Sequence, residues 1–180
     1  MRIAVYCSAK DTIPEEYLQL GNALGTWIGE NGYSLVYGGA TGGLMTRVSD
    51  AAKASGAYVI GVVPPRIIAS GRKATNCDEL YRVLNMAERK QAMRDLADVI
   101  VCLPGSYGTL DEMMDVTSSA IVGEHHKPLF VLNYKGFYNP LIAQIMHMKE
   151  LQFIPDEEHF RPVFIDTLDE LYDNIINYKS

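Results

Sequence analysis

The residues of this chain best suited to chemistry lie in PGSYGTLDE (Pro104–Glu112), directly after the apolar run VIVCL. That run predicts a strand buried on both faces, which leads through a glycine-containing turn into a helix. Gly105 and Gly108 allow the main chain to approach a ligand closely. The free N–H groups of a helix that begins at Thr109 favour an anion, most naturally a phosphate. Glu112 adds a carboxylate within reach of a ribose attached to that phosphate.

The same residues also allow a purely structural interpretation. Thr109 and Glu112 match the T-x-x-E pattern of a capping box, in which each side chain accepts a hydrogen bond from a backbone N–H near the other. Spacing alone favours neither interpretation, so the ligand site and the capping box are both open hypotheses at this point.

The elements that position this segment alternate along the chain. Short apolar runs rich in β-branched residues predict strands at Ile3–Cys7, Ser34–Tyr37, Tyr58–Val63, Val99–Leu103, Leu129–Leu132 and Val163–Ile165, with a weaker one near Leu80–Val83. Helical spacing predicts helices at Pro14–Glu30, Leu44–Ser55, Met86–Ala97, Thr109–Val122, Tyr138–Glu150 and Thr167–Tyr178. The alternation predicts an α/β fold, a Rossmann-like doubly wound parallel sheet with helices on both faces. A length of 180 residues favours one domain.

Topology sorts the loops of such a fold. Every strand-to-helix loop lies at the carboxyl edge of a parallel sheet, where ligands bind. That edge receives the PGSYGT turn, the first helical turn MAERK and a glycine loop. The glycines of that loop are Gly38, Gly39, Gly42 and Gly43. We therefore predict one convergent site, in which the Arg89 side chain meets the Glu112 carboxylate across a hollow that holds a phosphate.

Each part of this site is weak evidence by itself. Neither glycine loop has the G-x-G-x-x-G spacing of a dinucleotide site or the G-K-[ST] of a P-loop. Arg89 and Lys90 are also compatible with an exposed helix face. Cations in a first turn oppose the helix dipole by about 0.3–1 kcal/mol, a cost that an anionic ligand or a carboxylate removes. The longest irregular stretch, Pro64–Glu79, is a candidate lid.

Composition points to small-molecule partners. Sixteen basic against 22 acidic residues give a net charge of −6, which argues against a nucleic-acid partner. Widely spaced Cys7, Cys77 and Cys102 are expected to be free thiols in a reducing compartment. No secretory segment and no run of membrane-spanning length is recognisable, so we expect a cytoplasmic protein without a membrane partner.

The remaining histidines and methionines are assigned structural roles. His125 and His126 follow a helix, at the edge away from the site, and are expected in a solvated loop. His147 and His159 have no metal-ligand partner at useful spacing, so no metal is expected. The methionines expected to pack in helices are Met113, Met114, Met146 and Met148.

The motifs together resemble a known family. The order YGG-x-x-x-GLM, then M-x-x-RK, then PG-x-x-GT-x-x-E is similar to that of the Lonely Guy family. Its members are cytokinin riboside 5'-monophosphate phosphoribohydrolases, long mislabelled lysine decarboxylases, and the resemblance runs from Arg2 to about Ile154. It implies a Rossmann-like homodimer without a cofactor. This homodimer would cleave the N-glycosidic bond of an N6-substituted adenosine 5'-monophosphate, giving free base and ribose 5-phosphate.

The resemblance also implies roles for individual residues. Arg89 and Glu112 align with the pair that the family treats as catalytic. The implied substrate-binding positions are Gly38, Gly39, Gly43, Met86, Lys90, Gly105, Ser106, Tyr107, Gly108, Thr109, Leu110, Asp111 and Ser118, the last standing where many members have threonine. Three departures leave the base undetermined: Ser106 replaces a glycine, Ala87 replaces a histidine, and no acidic residue follows Pro65.

Two other functions are compatible with the same scaffold. A non-catalytic nucleotide-binding or cofactor-carrier protein would keep the glycine turns without releasing a base. A pyridoxal phosphate decarboxylase would need a lysine placed for a Schiff base, and no spacing in this chain indicates one.

Overall fold

The computed structural model describes residues 1–72, 76–155 and 160–178. Its strands form one parallel sheet in the order β4-β3-β2-β1-β5-β6-β7. They are β1 (Arg2–Tyr6), β2 (Ser34–Tyr37), β3 (Val59–Val63), β4 (Glu79–Arg82), β5 (Val99–Cys102), β6 (Leu129–Leu132) and β7 (Val163–Ile165). The predicted doubly wound α/β fold is therefore confirmed.

A helix follows each strand, so every strand-to-helix loop lies at the carboxyl edge. The helices are α1 (Glu15–Glu30), α2 (Gly43–Ala54), α3 (Pro65–Ala69), α4 (Met86–Leu96), α5 (Tyr107–Ile121), α6 (Asn139–Glu150) and α7 (Leu168–Tyr178). A short 3-10 turn, Tyr134–Gly136, precedes α6.

The sheet separates two apolar cores, because successive side chains of a strand point to opposite faces. Ile3 and Val5 of β1 face the core that contains apolar residues of α1, α2 and α7. Ala4 and Tyr6 face the opposite core, where Met93 of α4 packs with residues of α5. The carboxyl end of β1 therefore lies beneath α4 and α5 on one face of the sheet.

Two predicted boundaries differ from the structure. Helix α5 begins at Tyr107, two residues before the predicted Thr109, because Ser106 takes the extended N-cap conformation. The stretch Pro64–Glu79 is not wholly irregular, since Pro65–Ala69 forms α3 with proline at its start. Arg72 ties this stretch to the glycine loop, because its Nη2 donates to Thr41 O at 3.0 Å. Residues 73–75 of the candidate lid lie outside the described residues.

The histidine prediction was half right. His126 is exposed, but His125 is buried with its Nε2 3.0 Å from the carbonyl oxygen of Val116. Burial also lowers the pKa of the His125 ring. The solvated-loop prediction was therefore wrong for His125, which folds back under α5. His159 lies outside the described residues.

The methionine prediction holds for Met113, which is fully buried. It was wrong for Met114 and Met146, which are 37% and 52% exposed because they lie on the outer faces of α5 and α6. The three cysteines are free thiols, with Cys7 and Cys102 buried in the strand cores. In the part of the chain that the structure describes, none of the helices is long and apolar enough to cross a membrane.

Candidate active site

Arg89 and Glu112 meet in the interior, as the sequence predicted. The Arg89 Nη1 donates to Glu112 Oε1 at 2.8 Å, and each residue is only 4% exposed. Arg89 lies in the first turn of α4, and Glu112 lies in the second turn of α5. The carboxylate offsets the unfavourable interaction of a cation with the amino end of α4.

Two strand ends hold the Arg89 guanidinium in place. Its Nε donates to Val62 O in β3 at 3.1 Å, and its Nη2 donates to Gly38 O just after β2 at 3.0 Å. Asn85 fixes the first turn of α4, because its Oδ1 accepts from the Glu88 N–H at 2.9 Å. Each guanidinium nitrogen therefore has a partner on a different element, which defines the orientation of the side chain.

The glycine loop makes room for this side chain. A Cβ atom on Gly38 would overlap Arg89 Nη2, and one on Gly39 would overlap the Val63 side chain. Gly43 begins α2 with a φ of 49°, and a Cβ there would overlap the carbonyl oxygen of Lys10. The three glycines predicted to bind substrate thus have packing roles in this structure, and Gly38 is part of the Arg89 site.

The turn before α5 presents open backbone donors. The backbone hydrogen bonds of the helix begin at Leu110, whose N–H donates to Ser106 O at 3.0 Å. Within the described ranges, no protein acceptor is recorded for the N–H groups of Tyr107, Gly108 or Thr109. Ser106 is exposed and makes no side-chain capping bond. This helix start is therefore a suitable anion site.

The two glycines of the turn differ in role. A Cβ on Gly105 would overlap the Thr109 side chain, whereas a Cβ on Gly108 would meet nothing within 4 Å. Gly105 is therefore needed for the turn itself, and Gly108 leaves open space over the helix start. The capping-box interpretation was wrong, because Thr109 and Glu112 both lie inside α5 and Glu112 is held by Arg89.

The environment of Glu112 affects its ionisation. Burial raises the pKa of its carboxyl group, and the Arg89 guanidinium acts in the opposite direction. Among the described residues, only Arg89 forms a hydrogen bond with this carboxylate, through Oε1. Glu112 Oε2 is therefore available for a ligand.

Other predicted positions lie outside this interior pair. Lys90 Nζ is 3.0 Å from Asp111 Oδ1 on the outer side of α4 and α5, and Ser118 lines the same groove. Met86 is exposed at the start of α4. The structure thus brings Arg89 and Glu112 together in the interior and places Lys90, Asp111 and Ser118 in a groove that the interior pair does not line.

Sequence reasoning missed two parts of this region. The first is an ion pair in the outer groove, where Arg94 Nη1 lies 2.6 Å from Asp115 Oδ2. Its sequence signal was helical spacing, because Arg94 is four residues after Lys90 and Asp115 is four residues after Asp111. A cavity of about 280 Å³ beside Gly105 and Ser106 is lined by Ser8, Lys10 and Ile13 of the β1–α1 loop and by Tyr17 of α1. This loop follows a strand, so the edge rule also predicts it near the site.

Within residues 1–72, 76–155 and 160–178, no group of three or more His, Cys, Asp or Glu side chains is placed to hold a metal ion.

Comparison with known proteins shows the family to which this chain belongs. A family model described as "Possible lysine decarboxylase" matches residues 45–175. A cytokinin riboside 5'-monophosphate phosphoribohydrolase of Mycobacterium marinum is 36% identical over 93% of this chain and 89% of its own length. The chain belongs to the Lonely Guy family. A rice member, also named a cytokinin riboside 5'-monophosphate phosphoribohydrolase, is 40% identical over 80% of this chain and 60% of its own length.

Solved structures similar to this one share the fold of the Lonely Guy chain. A molybdenum cofactor binding protein from Rippkaea orientalis has a TM-score of 0.76 at 19% identity, covering 99% of this chain and 97% of that one. The molybdenum cofactor carrier protein of Chlamydomonas reinhardtii has a TM-score of 0.70 at 18% identity, covering 98% and 96%. At these identities the likeness establishes the architecture alone.

Proposed function

We propose that this Lonely Guy protein hydrolyses the N-glycosidic bond of a nucleoside 5'-monophosphate, releasing free base and ribose 5-phosphate. N6-substituted adenosine 5'-monophosphate is the expected substrate class, as the names of the relatives suggest. The observation that carries the proposal is the buried Arg89–Glu112 pair, which joins the first turn of α4 to the second turn of α5 next to a helix start with free backbone donors.

The reaction develops charges that these side chains match. Breaking a ribosyl C–N bond leaves positive charge on the sugar and negative charge on the departing base. In the proposed mechanism Glu112 Oε2 contacts the ribose hydroxyls and stabilises the oxocarbenium-like transition state or orients the attacking water. Arg89 holds the other carboxylate oxygen, positions the nucleotide and assists the leaving group.

The phosphate supplies binding energy at a distance from the broken bond. The N–H groups of residues 107–109 and the Ser106 hydroxyl are its proposed donors, and Gly108 leaves the approach open. Energy from this contact orients the sugar against Glu112, which raises the rate of the chemical step.

We further infer a cytoplasmic homodimer that associates through the outer surface of α4 and α5. Exposed Met114 and Val122 line the groove there, and Met86 and Ile121 are exposed on the same two helices; exposed apolar side chains of this kind are typical of an interaction site.

Product analysis tests the proposal. The purified protein is incubated with AMP and with N6-isopentenyl-AMP, and ribose 5-phosphate and free base are measured by chromatography. We expect Glu112→Gln to lower kcat by about 10²–10⁴-fold, the range for a positioned acid or base, with the fold preserved. Glu30→Gln, the same change at the exposed end of α1, is the matched control and should keep the parent rate.

Two results would contradict the proposal. Hydrolysis by Glu112→Gln at the parent rate would remove Glu112 from the mechanism. Saturable AMP binding without release of base in a single turnover would instead identify a nucleotide-binding or carrier protein.

A further inference from the structure

Tyr6 carries a buried hydroxyl group that the fold leaves unpaired. The residue ends β1 and is 1% exposed. Its hydroxyl is one of two buried side-chain polar groups, in the described part of the chain, without a hydrogen-bond partner; the other belongs to Tyr37. Buried polar groups are nearly always paired, so an unpaired one calls for an explanation.

The sheet order places Tyr6 beneath the Arg89–Glu112 pair. β1 lies between β2 and β5. The Arg89 guanidinium reaches from Gly38 O, just after β2, to Glu112 on the helix that follows β5, so it crosses the carboxyl end of β1. Tyr6 ends β1 and faces the core formed with Met93 of α4 and with α5, which is the side on which the pair lies.

The charges around the hydroxyl agree with this placement. The pKa of the Tyr6 hydroxyl is raised, with burial as the largest cause. The Glu112 carboxylate raises this pKa further, whereas the Arg89 guanidinium lowers it. The Tyr37 hydroxyl faces a different set of groups, including Ser49, Cys77 and Asp50. Of the two unpaired hydroxyls, only that of Tyr6 is within electrostatic reach of the catalytic pair.

We propose that Tyr6 is a positioning residue for Glu112: when a nucleotide is bound, the Tyr6 hydroxyl donates a hydrogen bond to the Glu112 carboxylate alongside Arg89. The inference rests on the proposed function. The bond is absent without ligand, and it forms as the carboxylate turns toward the ribose. In the proposal this bond reaches its full strength in the transition state, where the carboxylate meets the positive charge that develops on the ribose. A bond that is stronger there than in the bound ground state raises kcat and leaves KM little changed.

The consequence is a defined pH dependence. A donor to the ionised carboxylate favours the charged form and opposes the burial that raises the Glu112 pKa. Removing the donor therefore moves the acid limb of kcat to higher pH. The other titratable groups around Glu112 and Tyr6 are Arg89 and Lys90 on α4, Asp111 and Asp115 on α5, Cys7 on the β1 side and Cys102 on β5.

Tyr6→Phe tests the inference, and Tyr37→Phe is its matched control. We expect Tyr6→Phe to lower kcat by about tenfold at neutral pH and to raise the acid limb by about one pH unit, with KM little changed. Tyr37→Phe should keep the parent kcat and pH profile. The melting temperature of Tyr6→Phe should not fall, because the deleted hydroxyl had no partner in the free protein.

The inference is overturned if Tyr6→Phe keeps the parent kcat and pH profile, or if Tyr37→Phe shows the same losses. A second readout does not depend on turnover. With ribose 5-phosphate, the proposed product, bound, the Glu112 side-chain carbon is titrated by ¹³C NMR, and we expect a higher pKa in Tyr6→Phe than in the parent. Equal pKa values refute the role of Tyr6, whereas absence of ribose 5-phosphate from the parent protein refutes the proposed reaction.

Discussion

Replacing Arg89 by methionine should expose the cost of the buried carboxylate that it neutralises. Arg89→Met keeps the length of the apolar stem but removes the donors to Val62 O, Gly38 O and Glu112 Oε1. Removing one partner of a buried ion pair costs about 3–5 kcal/mol, because the other charge stays buried and uncompensated. For a chain of 180 residues this corresponds to a fall in melting temperature of roughly 6–20 °C.

The loss should depend on pH with a definite sign. Burial raises the folded-state pKa of Glu112, and without Arg89 nothing on α4 opposes this as closely. A carboxyl group with a raised folded pKa contributes stability below its unfolded pKa, near 4.5, and loses it as pH rises through the folded value. Arg89→Met should therefore be closest to the parent protein near pH 5 and furthest from it at pH 8.

Urea unfolding followed by circular dichroism measures the effect in the parent protein, Arg89→Met, Glu112→Gln and the double variant. The double variant should be more stable than Arg89→Met at pH 8, because it no longer buries an unpaired charge. A loss below about 1 kcal/mol for Arg89→Met at pH 8 would refute the reasoning, since that is the range of exposed ion pairs. So would a double variant no more stable than Arg89→Met.

Two glycine substitutions should separate packing from ligand access. Gly38→Ala places a methyl group on Arg89 Nη2, so we expect about 1–3 kcal/mol lower stability by urea unfolding. Its kcat should fall in the product assay, and parent-like values of both would refute the packing role. Gly108→Ala meets no protein atom and lies inside α5, so its stability should be equal or higher by up to about 1 kcal/mol. Calorimetry should nonetheless show weaker binding of ribose 5-phosphate, and unchanged binding would place the phosphate elsewhere.

The alternation of apolar runs and helical spacing was sufficient to predict the sheet. The predicted strand Val99–Leu103, for example, differs from β5 by one residue at its end. The start of α5 was missed because a helix start depends on the backbone angles of Ser106, and Thr109 offered a competing capping pattern. α3 was missed because five residues are too few to show a helical period.

The meeting of Arg89 and Glu112 was predictable from topology, since both follow strands and therefore lie at one edge. The other partners of Arg89 were not. Val62 O and Gly38 O are backbone acceptors, and any residue type supplies such an oxygen, so the side-chain pattern carries no signal for them. Tyr6 was hidden for a similar reason, because its position in a buried strand predicts packing alone.

The geometry explains why motifs that are weak separately become specific together. Gly38 belongs to the first motif and Arg89 to the second, and the guanidinium occupies the space that a side chain at residue 38 would fill. Glu112 belongs to the third motif and receives the opposite end of the same guanidinium. A side chain at residue 38 would displace Arg89, and a displaced Arg89 would leave Glu112 buried without a counterion. The three motifs therefore supply one buried contact. The position of Arg89 requires glycine at residue 38, and the buried Glu112 carboxylate requires Arg89 as its counterion.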